Sequence, residues 1–105
     1  MGKYNLVVST FPNKKEAKKI LMALLKKKLV ACGNILSGVA SYYWWEGKIE
    51  KSSEVMVWFK TEMGKVEDVV GFIQKNHSYQ VAEVLVLPIL KGNAAYLQWI
   101  SKSLR

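Results

Sequence analysis

Four large rings stand in a row at Tyr42, Tyr43, Trp44 and Trp45, followed at once by Glu46 and Gly47. Successive side chains of a strand point to opposite faces, so an extended run here sends two rings each way. Glu46-Gly47, between Trp45 and Lys48-Ile49, suits a tight hairpin turn. Across it, Glu54 to Thr61 alternates Val55, Val57 and Phe59 on one face with Met56, Trp58 and Lys60 on the other. A fold built on this ribbon must cover both of its faces. Each ring has about 150–250 Å² to bury, and at ~25 cal/mol per Å² leaving several in water forfeits several kcal/mol. A partner surface is therefore expected, and a second copy of the chain is its simplest source. The competing expectation is a long twisted hairpin that curls back and covers itself.

The flanking segments supply the layers. Asn5 to Phe11 is a short apolar, β-branched-rich run that reads as a buried strand closed by Pro12. Asn13 with Glu16 three residues on has the form of a capping box. Ala17, Ile20, Leu21, Leu24 and Leu25 then fall on one helical face, in a helix ending near Lys28. Leu29 to Leu36 and Val39 to Trp45 read as strand, with Gly33 and Ser37-Gly38 marking a bulge or bend. Val66, Val69, Val70 and Ile73 form a second amphipathic helix that fades at Asn76-His77. Val81 to Leu90 is nearly all apolar and reads as a central strand. Gly92-Asn93 caps a last helix with Tyr96, Leu97, Ile100 and Leu104 on one side. Right-handed crossovers place the first two helices on one face of a four-stranded antiparallel sheet. The expected fold is thus α+β: a ferredoxin-like βαββαβ sandwich with a long central hairpin and a C-terminal helix, one domain over residues 1–105.

Charge and cysteine content narrow the function. Sixteen basic residues face eight acidic ones, but only Arg105 is an arginine. Lysines on solvated helix faces make a soluble basic surface, and nucleic acid is not expected as a partner. The third strand also lacks the Lys/Arg-Gly-aromatic pattern of RNA-binding sheets. No apolar run approaches the ~20 residues that span a bilayer, so no membrane partner is expected. A charged start, an apolar stretch and a cleavage site do not occur together near Met1, so no secretory signal is expected. Cys32 is the only cysteine, which fits a reducing compartment, and the cytoplasm is the expected location.

No catalytic constellation emerges: the single histidine and single cysteine lie 45 positions apart, and no Gly-rich phosphate loop occurs. An enzyme is not expected, and no cofactor is required. Cys32 follows Val30-Ala31 and reads first as an inert core residue, His77 first as a partner of the last helical carbonyls. The sharper alternative joins His77, Glu83 and Cys32 in a mixed site accepting Cu²⁺ or Zn²⁺.

Several collinear motifs carry a resemblance along almost the whole chain. Tyr43-Trp44-Trp45-Glu46-Gly47-Lys48-Ile49-Glu50 resembles the most diagnostic segment of the CutA divalent-cation tolerance proteins. Thr10-Phe11-Pro12-Asn13 is similar to the family's Thr-x-Pro-Asp/Asn turn, and Leu29-Val30-Ala31-Cys32-Gly33-Asn34-Ile35 to its Leu-Ala-Ala-Cys-Val-Asn-Ile strand. Lys60-Thr61, His77-x-Tyr79 before Glu83, and Gly92-Asn93-x-x-Tyr96-Leu97-x-Trp99-Ile100 complete it.

The resemblance implies a cytosolic homotrimer tied to tolerance of copper and other divalent metals, with hairpins paired across subunits and no established reaction. It places Trp44, Glu46, Lys60, His77, Tyr79, Glu83 and Tyr96 in clefts between subunits. Tyr42, Tyr43, Trp45, Met56 and Trp58 are then the expected trimer interface. Related signalling trimers of the nitrogen-regulatory PII type suggest the alternative of a small anionic ligand in those clefts, with Lys60 near Tyr79 and Tyr96. The chain departs from the family at Ser9 and Asn76, where some bacterial relatives place a copper-ligating Cys and His. Both prolines of the His-Pro-Tyr segment are missing around His77, and Gly33 replaces a valine, an exchange expected to loosen that strand.

Overall fold

The computed structural model describes residues 2–105, and in it the first strand, β1 (Tyr4–Phe11), carries the sheet's centre. Asn5, Val7, Ser9 and Phe11 point into the protein and are buried. Pro12 breaks the strand, and Asn13 caps α1 (Lys14–Lys26) by accepting the Glu16 amide on Oδ1 at 2.9 Å. Ala17, Ile20, Leu21 and Leu24 form the buried stripe. Only half of the expected capping box forms, because Glu16 turns away from Asn13: its Oε2 accepts the Ser78 amide at 3.0 Å.

After α1 the chain reverses through Lys28, at φ 56, into the hairpin of β2 (Cys32–Trp45) and β3 (Lys48–Glu62). The ladder runs from Cys32↔Lys60 to Trp45↔Lys48 with one irregularity between Leu36 and Val39, where the bulge was expected. Glu46 and Gly47 close it with φ 50 and 79, the left-handed pair of a two-residue hairpin turn. A 3₁₀ turn (Met63–Lys65) leads into α2 (Val66–Asn76), then come β4 (Val84–Pro88) and α3 (Ala94–Ser103).

The sheet order is β2-β3-β1-β4, all neighbours antiparallel. This is the expected ferredoxin-like sheet with one correction. β4 is an edge strand, shorter than the Val81–Leu90 run, and not a central one. Two interleaved right-handed crossovers put β1 and β3 in the middle and push the last strand outside β1. Its apolar side chains are accordingly open to solvent, Leu85 at 54%.

α1 and α2 cover one face, closing a core of Val7, Phe11, Leu24, Val57, Phe59, Val69 and Ile73. Gly33 belongs to this packing. A Cβ there would lie 2.2 Å from Leu21 Cδ1, so the leucine fills the space that the missing side chain leaves. The expected loosening does not follow, because helix and strand are closer than a valine would permit.

The opposite face is covered only at one end. There α3 lies over the sheet through Tyr4 Oη and Ser101 Oγ (2.8 Å) and through the Ser101 hydroxyl bonded to Glu62. Alternation leaves Leu36, Met56, Trp58, Leu85 and Leu87 on the remainder of that face, outside this cover. At the other end β1 stops where Phe11 meets Val55, and the hairpin continues alone. That projection stretches the molecule to 44 × 26 × 23 Å. Tyr42, Tyr43, Trp44 and Trp45 remain 41–72% exposed, so the hairpin does not cover itself.

Candidate functional site

Three groups of polar and aromatic side chains lie along the sheet, and the register fixes their order. The outermost forms a cleft of about 760 Å³ at the base of the hairpin. Strand pairing sets Tyr43 opposite Glu50 and Ser41 opposite Ser52, so these share a face with Trp45 and Glu54. The loop after α2 closes the cleft with Tyr79, and Glu83 borders it just before β4. Tyr79 Oη donates to Glu54 Oε2 at 2.9 Å. Burial, this bond and the Glu54 charge together push the Tyr79 phenol from 10.0 up to about 12.

Behind the cleft, His77 anchors the same loop. Its ring stacks on Phe11 with centroids 4.6 Å apart and planes 10° apart. Nε2 donates to the Thr10 carbonyl at 2.6 Å, and Nδ1 accepts the Tyr79 amide at 3.0 Å. These two bonds fix the tautomer and use both ring nitrogens. Glu16 Oε2 stands 3.5 Å from Nδ1, and the His77 side chain is 0% exposed. The carbonyl it meets belongs to β1 and not to the end of α2.

The third group lies at the α3 end. Lys60 Nζ is 3.3 Å from Tyr96 Oη and 5.4 Å from its ring centroid, while Tyr96 lies 5.4 Å from Trp99. Cys32 is the cross-strand neighbour of Lys60 and is half-buried.

The expected site residues are therefore divided. His77 and Glu83 belong to one loop, but Cys32 lies opposite Lys60, about 20 Å along β3 from Glu54 at ~3.3 Å per residue. Among the described residues, no group of three or more His, Cys, Asp or Glu side chains is placed to hold a metal ion. Within one chain Lys60 meets Tyr96 and, by the same spacing, lies far from Tyr79; the expected gathering of the three is in clefts between subunits. Trp44 pairs with Ile49 on the face opposite Tyr43, and Glu46 is in the turn, so neither borders the Tyr79 cleft. Tyr42, Tyr43 and Trp45 do border it. Met56 and Trp58 lie further down β3, the Trp58 indole N–H donating to Met56 Sδ at 3.3 Å.

The departures from the family pattern are structural ties here. Ser9 is buried and donates to the Glu83 carbonyl at 2.7 Å, and Asn76 Nδ2 donates to the Phe72 carbonyl at 2.8 Å. Sequence reasoning missed Glu54, which is 8% exposed. The available signal was a carboxylate placed by alternation on the same strand face as Met56 and Trp58.

Fold and site together define a ferredoxin-like α+β protein with an extended aromatic hairpin and an uncovered sheet face. The chain belongs to the CutA1 divalent ion tolerance protein family, whose pattern it matches over residues 5–103. The human protein CutA is 42% identical over 99 residues, which are 94% of this chain and 55% of that protein. The chain thus spans about half the length of this relative. The crystal structure of CutA1 from Oryza sativa superposes with a TM-score of 0.94 at 38% identity, covering 99% of this chain and 95% of that one. The periplasmic divalent cation tolerance protein CutA from Archaeoglobus fulgidus gives 0.93 at 36% identity, covering 97% and 99%.

Proposed function

We propose that this chain serves divalent-cation tolerance by binding and self-assembly rather than by catalysis, as a cytosolic homotrimer whose hairpins pair across copies. The hairpin carries the reading. It projects past the last residue of β1 and holds Trp44 at 72% exposure and Ile49 at 66%, a cross-strand pair with nothing of its own chain to cover it. Leu85 and Leu87 on the open β4 edge offer a second apolar surface. Covering such surfaces with a second copy recovers about 25 cal/mol per Å². The free thiol of Cys32 supports a reducing location. A Trp44→Lys, Ile49→Glu double variant should lower the mass in solution while the far-UV spectrum is retained. An unchanged mass counts against hairpin pairing.

Copper or zinc enters this reading as cargo. His77 has no nitrogen to spare and Cys32 is remote, so the described residues of one chain do not supply a ligand set, and in this reading the boundary between copies completes it. Calorimetric titration with Cu²⁺ and Zn²⁺ tests this. Affinity tighter than ~1 mM that falls in Glu83→Gln or Cys32→Ser supports direct binding. Weaker affinity, unchanged in both variants, makes tolerance indirect.

One observation favours the PII-like alternative, a trimer that senses a small anion. Lys60 presents its ammonium beside Tyr96 and Trp99, a cation with an aromatic wall. A thermal-shift screen of nucleotides and phosphate should then show stabilisation that disappears in Lys60→Ala. The absence of any shift counts against sensing at this lysine.

A further inference from the structure

The helix layer, on the side of the sheet away from the open face, holds a second cavity. It occupies about 390 Å³ between α1, α2 and the loop at Ser78. Ala23 brings only a methyl group to it, so the half-buried ring of Phe72 remains open as an apolar floor. Lys15 and Lys19, one turn apart on α1, line it, with Asn13 and Ser78 toward the start of that helix. None of the lining residues belongs to the hairpin or to β4, so assembly through those surfaces leaves the cavity reachable.

The charges along it are unbalanced. Residues 14–28 carry seven lysines and one acid, Glu16. Glu16 stands three residues before Lys19, the spacing of a helical ion pair, but the loop has taken its carboxylate. Its Oε2 accepts the Ser78 amide at 3.0 Å and lies 3.5 Å from His77 Nδ1. The acid–base contacts among the described residues are Lys3–Glu62 and Glu16–His77, so neither Lys15 nor Lys19 is paired. Like charges four residues apart on a helix repel, and a bound anion relieves them. Lys27 Nζ, 5.7 Å from the Phe72 ring centroid, adds positive charge at the aromatic side. Asn13 spends its Oδ1 on the Glu16 amide, which leaves its Nδ2 to donate.

We propose that this cavity is a binding site for a phosphate-bearing small molecule with an apolar or aromatic body. The phosphate lies between Lys15 and Lys19, with Asn13 and Ser78 as neutral donors, and the body rests on Ala23 and Phe72. Two ammonium groups beside neutral donors match a dianion with several acceptor oxygens. The volume is in the range of small-molecule pockets. The site is separate from the Lys60–Tyr96 pair, because alternation along β3 puts Lys60 with Trp58 and Met56 on the opposite face of the sheet. It rests neither on the trimer nor on metal tolerance.

The test is calorimetric titration of the full chain with 1-naphthyl phosphate at low ionic strength, set against neutral 1-naphthol and inorganic phosphate. The ester should bind at least about tenfold tighter than either. A Lys15→Gln, Lys19→Gln double variant should weaken it about tenfold. Ala23→Leu, which fills the floor and keeps both lysines, should weaken it to the same degree. Both lysines are exposed, so the double variant carries the test if Ala23→Leu does not fold. Lys60→Ala should bind as the wild type does. Inorganic phosphate binding as tightly as the ester would reduce the site to a basic surface and overturn the proposal. Affinity unchanged in the double variant, affinity lost in Lys60→Ala, or no binding of the ester at ~10 mM would overturn it as well. None of these outcomes alters the mass measurement that tests self-assembly.

Discussion

Tyr79 Oη and Glu54 Oε2, 2.9 Å apart, fasten the loop after α2 to the base of the hairpin. The phenol is held protonated by burial and by the carboxylate, with its titration at about 12 against 10.0 for an ordinary tyrosine. A raised folded-state value stabilises the protein fully below the unfolded value and loses that contribution as pH rises through the folded one. Tyr79→Phe should therefore cost about 1 kcal/mol from pH 6 to 9, a modest figure because the site is partly open to water. The difference should shrink between pH 10 and 12. Absorbance at 295 nm checks the origin: one of the five tyrosines should titrate last, and that step should vanish in the variant.

Gly33 and Leu21 make a second test, on packing. A methyl at position 33 would meet Leu21 Cδ1 at 2.2 Å. Gly33→Ala should destabilise by about 1–3 kcal/mol through overpacking. In a Leu21→Ala background the same change should cost much less, because the space is then free. Urea unfolding of the four proteins gives the coupling, and additive effects would contradict the contact.

The hairpin turn holds a non-glycine residue in the left-handed region, Glu46 at φ 50. Asparagine tolerates that conformation better, so Glu46→Asn should stabilise by about 0.5–1 kcal/mol. Gly47→Ala, at φ 79, should destabilise by about 1 kcal/mol. Thermal midpoints moving the other way would contradict the turn geometry.

His77 is bonded at both nitrogens and stacked on Phe11. His77→Ala should cost about 2–4 kcal/mol whether or not metal is present, because a buried packed ring and two bonds are lost. If chelation by EDTA lowers wild-type stability and abolishes the difference from the variant, the histidine is a ligand and this structural reading fails.

Much of the fold was legible because it depends on local period. Ala17, Ile20, Leu21 and Leu24 declare a helix face, and Val55, Val57 and Phe59 a strand face, wherever the rest of the chain lies. The position of Val84–Pro88 was not legible that way. An apolar run marks a strand that something covers, and it does not say whether the cover is a neighbouring strand or another molecule. The site was legible only in part for a related reason. Resemblance named Lys60, Tyr79 and Tyr96 together in clefts between subunits, while within one chain register sets Lys60 apart from Tyr79, and residue types alone carry no register. Glu16 shows the same limit, since three-residue spacing suggested a local cap and a loop 62 residues away took its carboxylate.

The central claim is that copies of this chain complete the surface left by the hairpin. Sedimentation equilibrium at micromolar concentration measures it directly. The account predicts a single species of three times the 11.9 kDa chain mass, with indole fluorescence shielded from acrylamide. A folded species of 11.9 kDa at the same dilution would contradict it.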